Sequence, residues 1–229
     1  MNLTLSDHLR DFRKTIVSIL VINLTVFLIY YIFLKEKLLN ILIKPLTGLY
    51  DNVAYLSVIE PITTDLNVSL IFSIVTTFPI TLYIIWKFIE PAFDIKAKKN
   101  IVFYGILALI LFYIGLLFSY FIAIPIIISF FKTTVNEKLG SVLRISEYIS
   151  LLTRLVLVFS LLFIIPLIIK ILVRLNVVTI DKLKKVRKFV FLLAFVLGAL
   201  ITPPDVISQV IVAIPVYVLY EIGILISIK

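Results

Sequence analysis

Residues 101–131 read IVFYGILALILFYIGLLFSYFIAIPIIISFF and contain no charged side chain. A helix of about 20 apolar residues is enough to cross the hydrocarbon core of a bilayer, so this run alone indicates a membrane span. Of all 229 residues, 62% are hydrophobic and 15% are charged, whereas about a quarter of a soluble domain is charged. We therefore predict an all-α, polytopic membrane protein that forms a single domain over residues 1–229.

Six apolar runs are candidates for transmembrane helices. Besides 101–131, they cover residues 15–34, 68–86, 149–169, 189–201 and about 203–226. The run at 189–201 is only about 20 Å long as a helix, against about 30 Å for the hydrocarbon core. It therefore requires shielding by neighbouring helices, snorkelling by Arg187 and Lys188, or a thinned bilayer. Within the third run, Pro125 is expected to kink or end the helix.

Lysine and arginine are distributed unevenly between the two sets of loops. Fifteen lie in the N-terminal tail, residues 87–99, residues 170–188 and the C-terminus, and six lie in the other loops. Because cytoplasmic loops are enriched in these residues, both termini are predicted to be cytoplasmic. The net charge of +9 then reflects membrane topology, and nucleic-acid binding is not predicted. The outer loops, 35–67 with an amphipathic piece at 38–43, and 132–148, are expected to form a cap.

The chain lacks the residues that common catalytic and metal sites require. It has no cysteine, and its one histidine, His8, stands in the N-terminal tail. Disulfides, thiol catalysis, histidine-based hydrolysis and a two-histidine zinc motif are therefore excluded. We predict no catalytic residue, no metal and no cofactor.

Few polar side chains interrupt the apolar runs. Arg154 either snorkels to the outer interface or lines a hydrated cavity. Glu221 either makes a packing hydrogen bond or has a functional role. Asn23 and Gln209 are predicted to form interhelical hydrogen bonds.

The polar segment 202–209, TPPDVISQ, separates the last two apolar runs. As the start of a helix, Thr202 fits the N-cap, Pro203 the first helical position and Asp205 the third, where its carboxylate would complete a capping box. Ser208 and Gln209 lie one turn deeper, and capping does not explain them. With Glu221, they indicate a polar stripe along the last helix.

Several short motifs occur in one order along the chain. They are HLRDFR at 8–13, EP at 60–61, PITLYIIWKFIEP at 79–91, FYIG at 112–115, TPPDVISQ at 202–209, AIP at 213–215 and YEIG at 220–223. Together they resemble the TatC family, the multispanning core of the twin-arginine protein translocase, over nearly the whole chain. The topology predicted for this chain, six spans with both termini in the cytoplasm, is similar to that of the family.

The resemblance implies a receptor rather than an enzyme. TatC-like proteins recognise the Arg-Arg motif in signal peptides of folded cargo proteins, on the cytoplasmic face. They act with single-span partners of the TatA/TatB type, and the proton-motive force drives transport. The resemblance further implies a homo-oligomer within a larger complex, surrounded by membrane lipid. The membrane is expected to be a prokaryotic plasma membrane, with an organellar inner or thylakoid membrane as the alternative.

Two guanidinium groups require carboxylates, which they can bind in a bidentate manner. Asp11 matches the family's N-terminal acid, flanked by His8 and Arg13 of the same motif. The position of the family's second acid is Ala97. Our hypothesis is that Asp94, helped by Glu90, replaces it; the alternative is that these two acids only pair with the neighbouring lysines, Lys87 and Lys98.

Other residues are candidates for roles outside signal-peptide binding. Ser208, Gln209 and Glu221 are candidates for contact with a partner's transmembrane helix. Glu60, Pro61, Arg154 and Asp205 are candidates for polar groups of the outer face or cavity. The chain departs from the family pattern at Ile164, Ser160 and Asn67, which predicts a less polar cavity.

One alternative function belongs to a different class. A proton-coupled secondary transporter for a small solute would use Glu221, Arg154 and Gln209 to line its path. The chain shows no internal repeat and no glycine-broken helix in the middle of a span, which argues against this alternative.

Overall fold

The computed structural model describes residues 5–44, 53–89, 98–134, 143–202 and 205–228, and within them the chain is almost entirely helical. The helices are α1 (Leu5–Ile29), α2 (Lys35–Ile43), α3 (Glu60–Ile89), α4 (Lys98–Phe118), α5 (Ile124–Thr134), α6 (Ile145–Leu162), α7 (Ile165–Arg174), α8 (Ile180–Lys185), α9 (Arg187–Ile201) and α10 (Val206–Ile228). Two π-helical turns, Tyr30–Leu34 and Ser119–Ala123, join α1 to α2 and α4 to α5. The all-α prediction is confirmed.

Among the described residues, five helical segments are long and apolar enough to cross a membrane. They cover Arg10–Ile43, Glu60–Phe88, Val102–Lys132, Ile145–Arg174 and Val206–Ile228. Helix α9 has 15 residues, about 22 Å at 1.5 Å per residue, and so falls short of the hydrocarbon thickness. The membrane crossing of α9, and with it the count of six spans, stays a prediction.

The helices group into two compact units. The first comprises Met1–Lys44 and Leu56–Leu109, and the second comprises Pro45–Tyr55 and Ile110–Lys229. The single domain expected from the sequence therefore stays a prediction.

In the first unit, α1 and α2 pack along α3. The amphipathic piece at 38–43 forms most of α2, and its Leu38 and Leu42 side chains are buried. An ion pair of 2.8 Å between Lys35 Nζ and Asp65 Oδ2 ties the start of α2 to α3. This ion pair helps explain why α3 begins at Glu60, two turns before the apolar run at 68–86, because the Asp65 carboxylate in its second turn has a partner.

Pro125 acts on the helix just before it. The backbone N–H of Ile124 donates to the carbonyl of Ser119, five residues back, which is the hydrogen bond of a π turn. Proline has no N–H to continue the regular ladder, so a wider turn precedes it. The chain continues as α5 to Thr134, so the proline modifies the helix and does not end it.

The fourth apolar run is two helices instead of one. Helix α6 ends at Leu162, and α7 begins at Ile165 with Pro166 in its first turn. Helix α7 ends in a Schellman turn: Asn176 N donates to Val173 O at 3.0 Å, and Val177 N donates to Leu172 O at 3.0 Å. Asn176 takes the left-handed conformation, with φ of 56°, that this turn requires.

The core of the second unit forms where the helices approach closely. Phe159, Ile149, Leu152 and Leu155 of α6 are completely or almost completely buried. A Cβ atom on Gly115 of α4 would lie 2.5 Å from the Phe159 carbonyl oxygen, so only glycine allows this approach. Strands β1 (Val53–Ala54) and β2 (Leu143–Arg144) form a short parallel pair, which joins the two loops predicted to form the outer cap.

Candidate functional site

The first candidate surface lies in the first unit, at the end where α1 begins and α3 ends. The rings of Phe12 and Phe88 are in contact, with centroids 5.9 Å apart. Asp11 and Arg13, on either side of Phe12, are exposed. The structure therefore places an open carboxylate beside the last turns of α3. Glu90 and Asp94 lie outside the described residues, as does the side chain of His8.

Deeper in the first unit, polar side chains join α1 to α3. Thr77 Oγ1 donates to Asn23 Oδ1 at 2.7 Å, and the hydroxyls of Tyr30 and Thr76 lie 2.9 Å apart. The interhelical hydrogen bond predicted for Asn23 is confirmed. An open groove of 520 Å³ runs beside Asn23, and its other lining residues are mostly apolar.

Glu60 and Pro61 stand at the start of α3. The Glu60 carboxylate accepts a hydrogen bond from the backbone N–H of Leu56 at 2.9 Å. Pro61 occupies the first turn, where a missing N–H costs nothing. In this structure Glu60 therefore orders the segment that enters the helix.

The capping prediction for the last helix is wrong in one respect. Helix α10 begins at Val206, and its cap is Asp205, whose Oδ2 accepts a hydrogen bond from Ser208 N at 2.7 Å. Thr202 instead ends α9, where its hydroxyl donates to the Gly198 carbonyl at 2.9 Å. The reason is that the helix starts three residues later than the sequence suggested, which moves Asp205 from the third helical position to the N-cap.

Ser208 and Gln209 have partners within the chain. Ser208 is fully buried, and its hydroxyl donates to the Asp205 carboxylate. The Gln209 amide donates to the Phe195 carbonyl of α9 at 2.8 Å, which confirms the predicted interhelical bond. A Cβ atom on Gly198 would lie 2.8 Å from the Gln209 carbonyl oxygen. The polar residues of this segment therefore hold the α9–α10 hairpin together.

Glu221 forms the other polar contact of α10. Its Oε2 lies 2.7 Å from Arg187 Nη2 at the start of α9, and its Oε1 accepts a hydrogen bond from the Tyr217 hydroxyl at 2.9 Å. From the sequence, Arg187 was expected only to mark the topology and to snorkel beside the short run at 189–201, and Tyr217 was not predicted to take part. The spacing of four between Tyr217 and Glu221, which places both on one helix face, was the available signal.

Arg154 lies on the exposed side of α6, while Thr153 and Leu155 next to it are buried. Ile164, where the resemblance implied a departure from the family pattern, lies in the break between α6 and α7 and is half-buried. Within the described ranges, no three potential metal ligands come together.

Comparison with known proteins identifies this arrangement. The family model "Sec-independent protein translocase protein (TatC)" matches residues 7–215. The chain belongs to the TatC family. It is 33% identical to the TatC protein of Carboxydothermus hydrogenoformans over 226 residues, covering 98% of this chain and 93% of the relative. It is 32% identical to TatC of Escherichia coli K12, covering 97% and 87%.

A solved TatC structure, described as that of the twin-arginine translocase receptor, superposes on this chain with a TM-score of 0.88. The two chains are 32% identical, and the match covers 96% of this chain and 97% of the other. None of these comparisons supports a small-solute transporter. The family is a component of a protein translocase, and the chain is a multi-pass membrane protein.

Proposed function

We propose that this chain is the receptor subunit of a twin-arginine translocase, which binds the Arg-Arg signal peptides of folded cargo proteins. Membership of the TatC family supports this function, and the proposed site is the surface formed by Asp11 and the end of α3. The Asp11 carboxylate is exposed there and is available to a guanidinium group. His8, Arg13, Glu90 and Asp94 are the other proposed members. The single observation that carries the assignment of this site is the contact between Phe12 and Phe88.

A binding experiment tests the role of Asp11. A labelled twin-arginine peptide is titrated with the full chain in detergent, and the dissociation constant is read from fluorescence anisotropy. We expect Asp11→Asn to weaken binding about 10- to 100-fold, because a charge-assisted hydrogen bond contributes about 1.5–3 kcal/mol. Asp181→Asn, which removes another exposed carboxylate, is the matched control and should bind as the unchanged chain does.

Two further results bear on the same site. A peptide with Lys-Lys in place of Arg-Arg should bind weakly to the unchanged chain, because lysine lacks the planar bidentate geometry. Asp94→Lys should block export of a twin-arginine reporter. Normal export in this variant would refute the hypothesis that Asp94 takes the role of the missing family acid. If Asp11→Asn binds the Arg-Arg peptide at full strength, Asp11 is not part of the site.

We further propose that single-span partners of the TatA/TatB type pack against the α9–α10 hairpin. Exposed apolar side chains support this, since Leu200 is 71% and Val206 is 73% exposed in a segment that otherwise holds polar contacts. The Ser208 side chain is buried and Glu221 is paired, so their contribution would be to shape the hairpin. Gln209 is half-buried and belongs to the same hairpin.

Disulfide crosslinking can test this partner surface. The chain has no native cysteine, so only the introduced cysteine can react. A cysteine at Ile207 should form a crosslink to a partner helix that carries its own cysteine. A cysteine at Leu161, which is exposed on α6, is the control. Equal crosslinking at both positions would count against the hairpin as the docking surface.

The proposal also includes the other properties that the resemblance to the TatC family implies. Transport would be driven by the proton-motive force, in a homo-oligomer within a larger complex. The membrane would be a prokaryotic plasma membrane.

A further inference from the structure

A group of lysines in the second unit has no role in the contacts described above. We name the segment from Lys170 to Lys188 the basic hairpin. Its only acidic residue is Asp181, and its Arg187 is paired with Glu221. Four of its lysines are exposed and stand in no ion pair within the described part of the chain, namely Lys182, Lys184, Lys185 and Lys188. The basic hairpin therefore presents an uncompensated positive surface.

The backbone that carries these lysines is held in place. Ile180 and Leu183 pack against a buried cluster of Ile169, Tyr220 and Ile224. The Tyr220 hydroxyl donates to the Leu183 carbonyl at 2.8 Å. Because this anchoring fixes the α8 backbone, its lysines, which are all exposed, are held at the surface. A positive surface that is already ordered loses little backbone entropy when it binds an anion.

The basic hairpin also lies where two apolar helices end. The candidate span Ile145–Arg174 ends within it, and α9 begins at Arg187. Exposed apolar side chains stand among the cations: Val177 is 62% and Phe189 is 64% exposed. A surface that mixes lysines with apolar side chains at the ends of membrane helices matches the boundary between lipid headgroups and acyl chains.

We propose that the basic hairpin is a binding site for anionic phospholipid headgroups, with Lys182, Lys184 and Lys185 as its principal phosphate contacts. Each lysine near an anionic membrane surface adds to the attraction. An acidic protein segment would also suit the charge, but not the exposed apolar side chains beside the span ends. The proposal does not depend on signal-peptide recognition, since the basic hairpin and Asp11 belong to different units.

The test uses the full chain in a mild detergent with added phosphatidylglycerol or phosphatidylcholine. Native mass spectrometry gives the apparent affinity of each lipid. Lys184→Gln/Lys185→Gln removes two charges from the basic hairpin, and Lys37→Gln/Lys132→Gln removes two exposed charges elsewhere. We expect the first variant to bind phosphatidylglycerol about 30-fold more weakly, which corresponds to about 2 kcal/mol. The second variant should bind as the unchanged chain does.

Three results would each overturn the proposal. The first is unchanged phosphatidylglycerol binding in Lys184→Gln/Lys185→Gln, and the second is an equal loss of binding in Lys37→Gln/Lys132→Gln. The third is that neither salt nor a competing anionic lipid displaces the bound lipid. Preferential binding of a soluble pentaglutamate peptide over phosphatidylglycerol would also overturn it and indicate an acidic protein partner. Lys184→Arg/Lys185→Arg, which keeps the charge, should retain binding, and equal melting temperatures without lipid show that the variants are folded.

Discussion

Asp205 and Glu221 are two carboxylates on or next to α10, and each satisfies a different kind of group. Asp205 accepts from a backbone N–H at the helix start, where the orphan donors and the positive end of the helix dipole favour an anion. Glu221 accepts from a guanidinium and a phenol hydroxyl. Both residues therefore stabilise the last helix through local chemistry, and neither is an open binding group.

The Glu221 contact leads to a prediction about stability. The pair is partly exposed, with 38% of the Arg187 and 25% of the Glu221 side chain accessible. Glu221→Ala leaves the cation without its partner, so we expect a loss of about 1–2 kcal/mol, less than for a fully buried pair. Chemical denaturation of the full chain in detergent measures this loss.

Two further variants test the physical reason for that prediction. Arg187→Met/Glu221→Leu removes both charges and should lose less than Glu221→Ala, because no unpaired ion remains. Glu147→Ala breaks the more exposed Arg144–Glu147 pair and should cost under about 1 kcal/mol. A double variant that is less stable than Glu221→Ala would contradict this explanation.

At the scale of elements, the packing of neighbouring helices depends on glycines that the composition does not distinguish. Gly105 and Gly115 lie on the same helix, α4, ten residues apart. A Cβ atom on Gly115 would meet the Phe159 carbonyl, while a Cβ atom on Gly105 would have no atom within 4 Å. Only the packed structure reveals which of the two glycines is required.

This difference predicts opposite effects of the same substitution. Gly115→Ala should destabilise the chain by about 1–3 kcal/mol, because the α6 backbone must move. Gly105→Ala should be neutral or stabilising by up to about 1 kcal/mol, since alanine favours the helix and meets no clash. Melting temperatures of the two variants, measured side by side in one detergent, give the comparison. Equal losses of stability in the two variants would mean that the close approach of α4 and α6 at Gly115 does not determine the cost of the substitution.

For the whole molecule, the number of membrane spans depends on whether the short helix α9 crosses the membrane. If α9 crosses, Lys184 before it and Val206 after it lie on opposite sides of the membrane. We predict that a cysteine at position 184 is labelled by an impermeant maleimide from the cytoplasmic side only, and a cysteine at position 206 from the outer side only. The absence of native cysteine makes both measurements direct.

A reference position completes this experiment. Ser57 lies in the loop predicted to face outward, so a cysteine there should be labelled together with position 206. Labelling of positions 184 and 206 from the same side would show that α9 does not cross. The chain would then have five spans, and its termini would lie on opposite sides.

Composition and the lengths of the apolar runs were sufficient for the class of the protein and for the approximate positions of the long apolar helices, because a bilayer imposes length and polarity on any segment that spans it. The short motifs were sufficient for the family. The boundaries were less predictable: α3 begins before its apolar run because Asp65 has a partner in Lys35, and the fourth run breaks before Pro166. Both depend on contacts or backbone geometry that hydropathy does not register.

Hydropathy and ordered motifs are local properties of the chain, and they were enough to identify an all-α membrane protein of the TatC type. Which polar residues have partners depends on how the helices pack. Ser208 and Gln209 bond within their own hairpin, Arg187 pairs with Glu221, and Asp11 stays open beside Phe12 and Phe88. Gln209 and Phe195 are 14 residues apart in the sequence, and Arg187 and Glu221 are 34 apart, so only folding brings these atoms within hydrogen-bond distance.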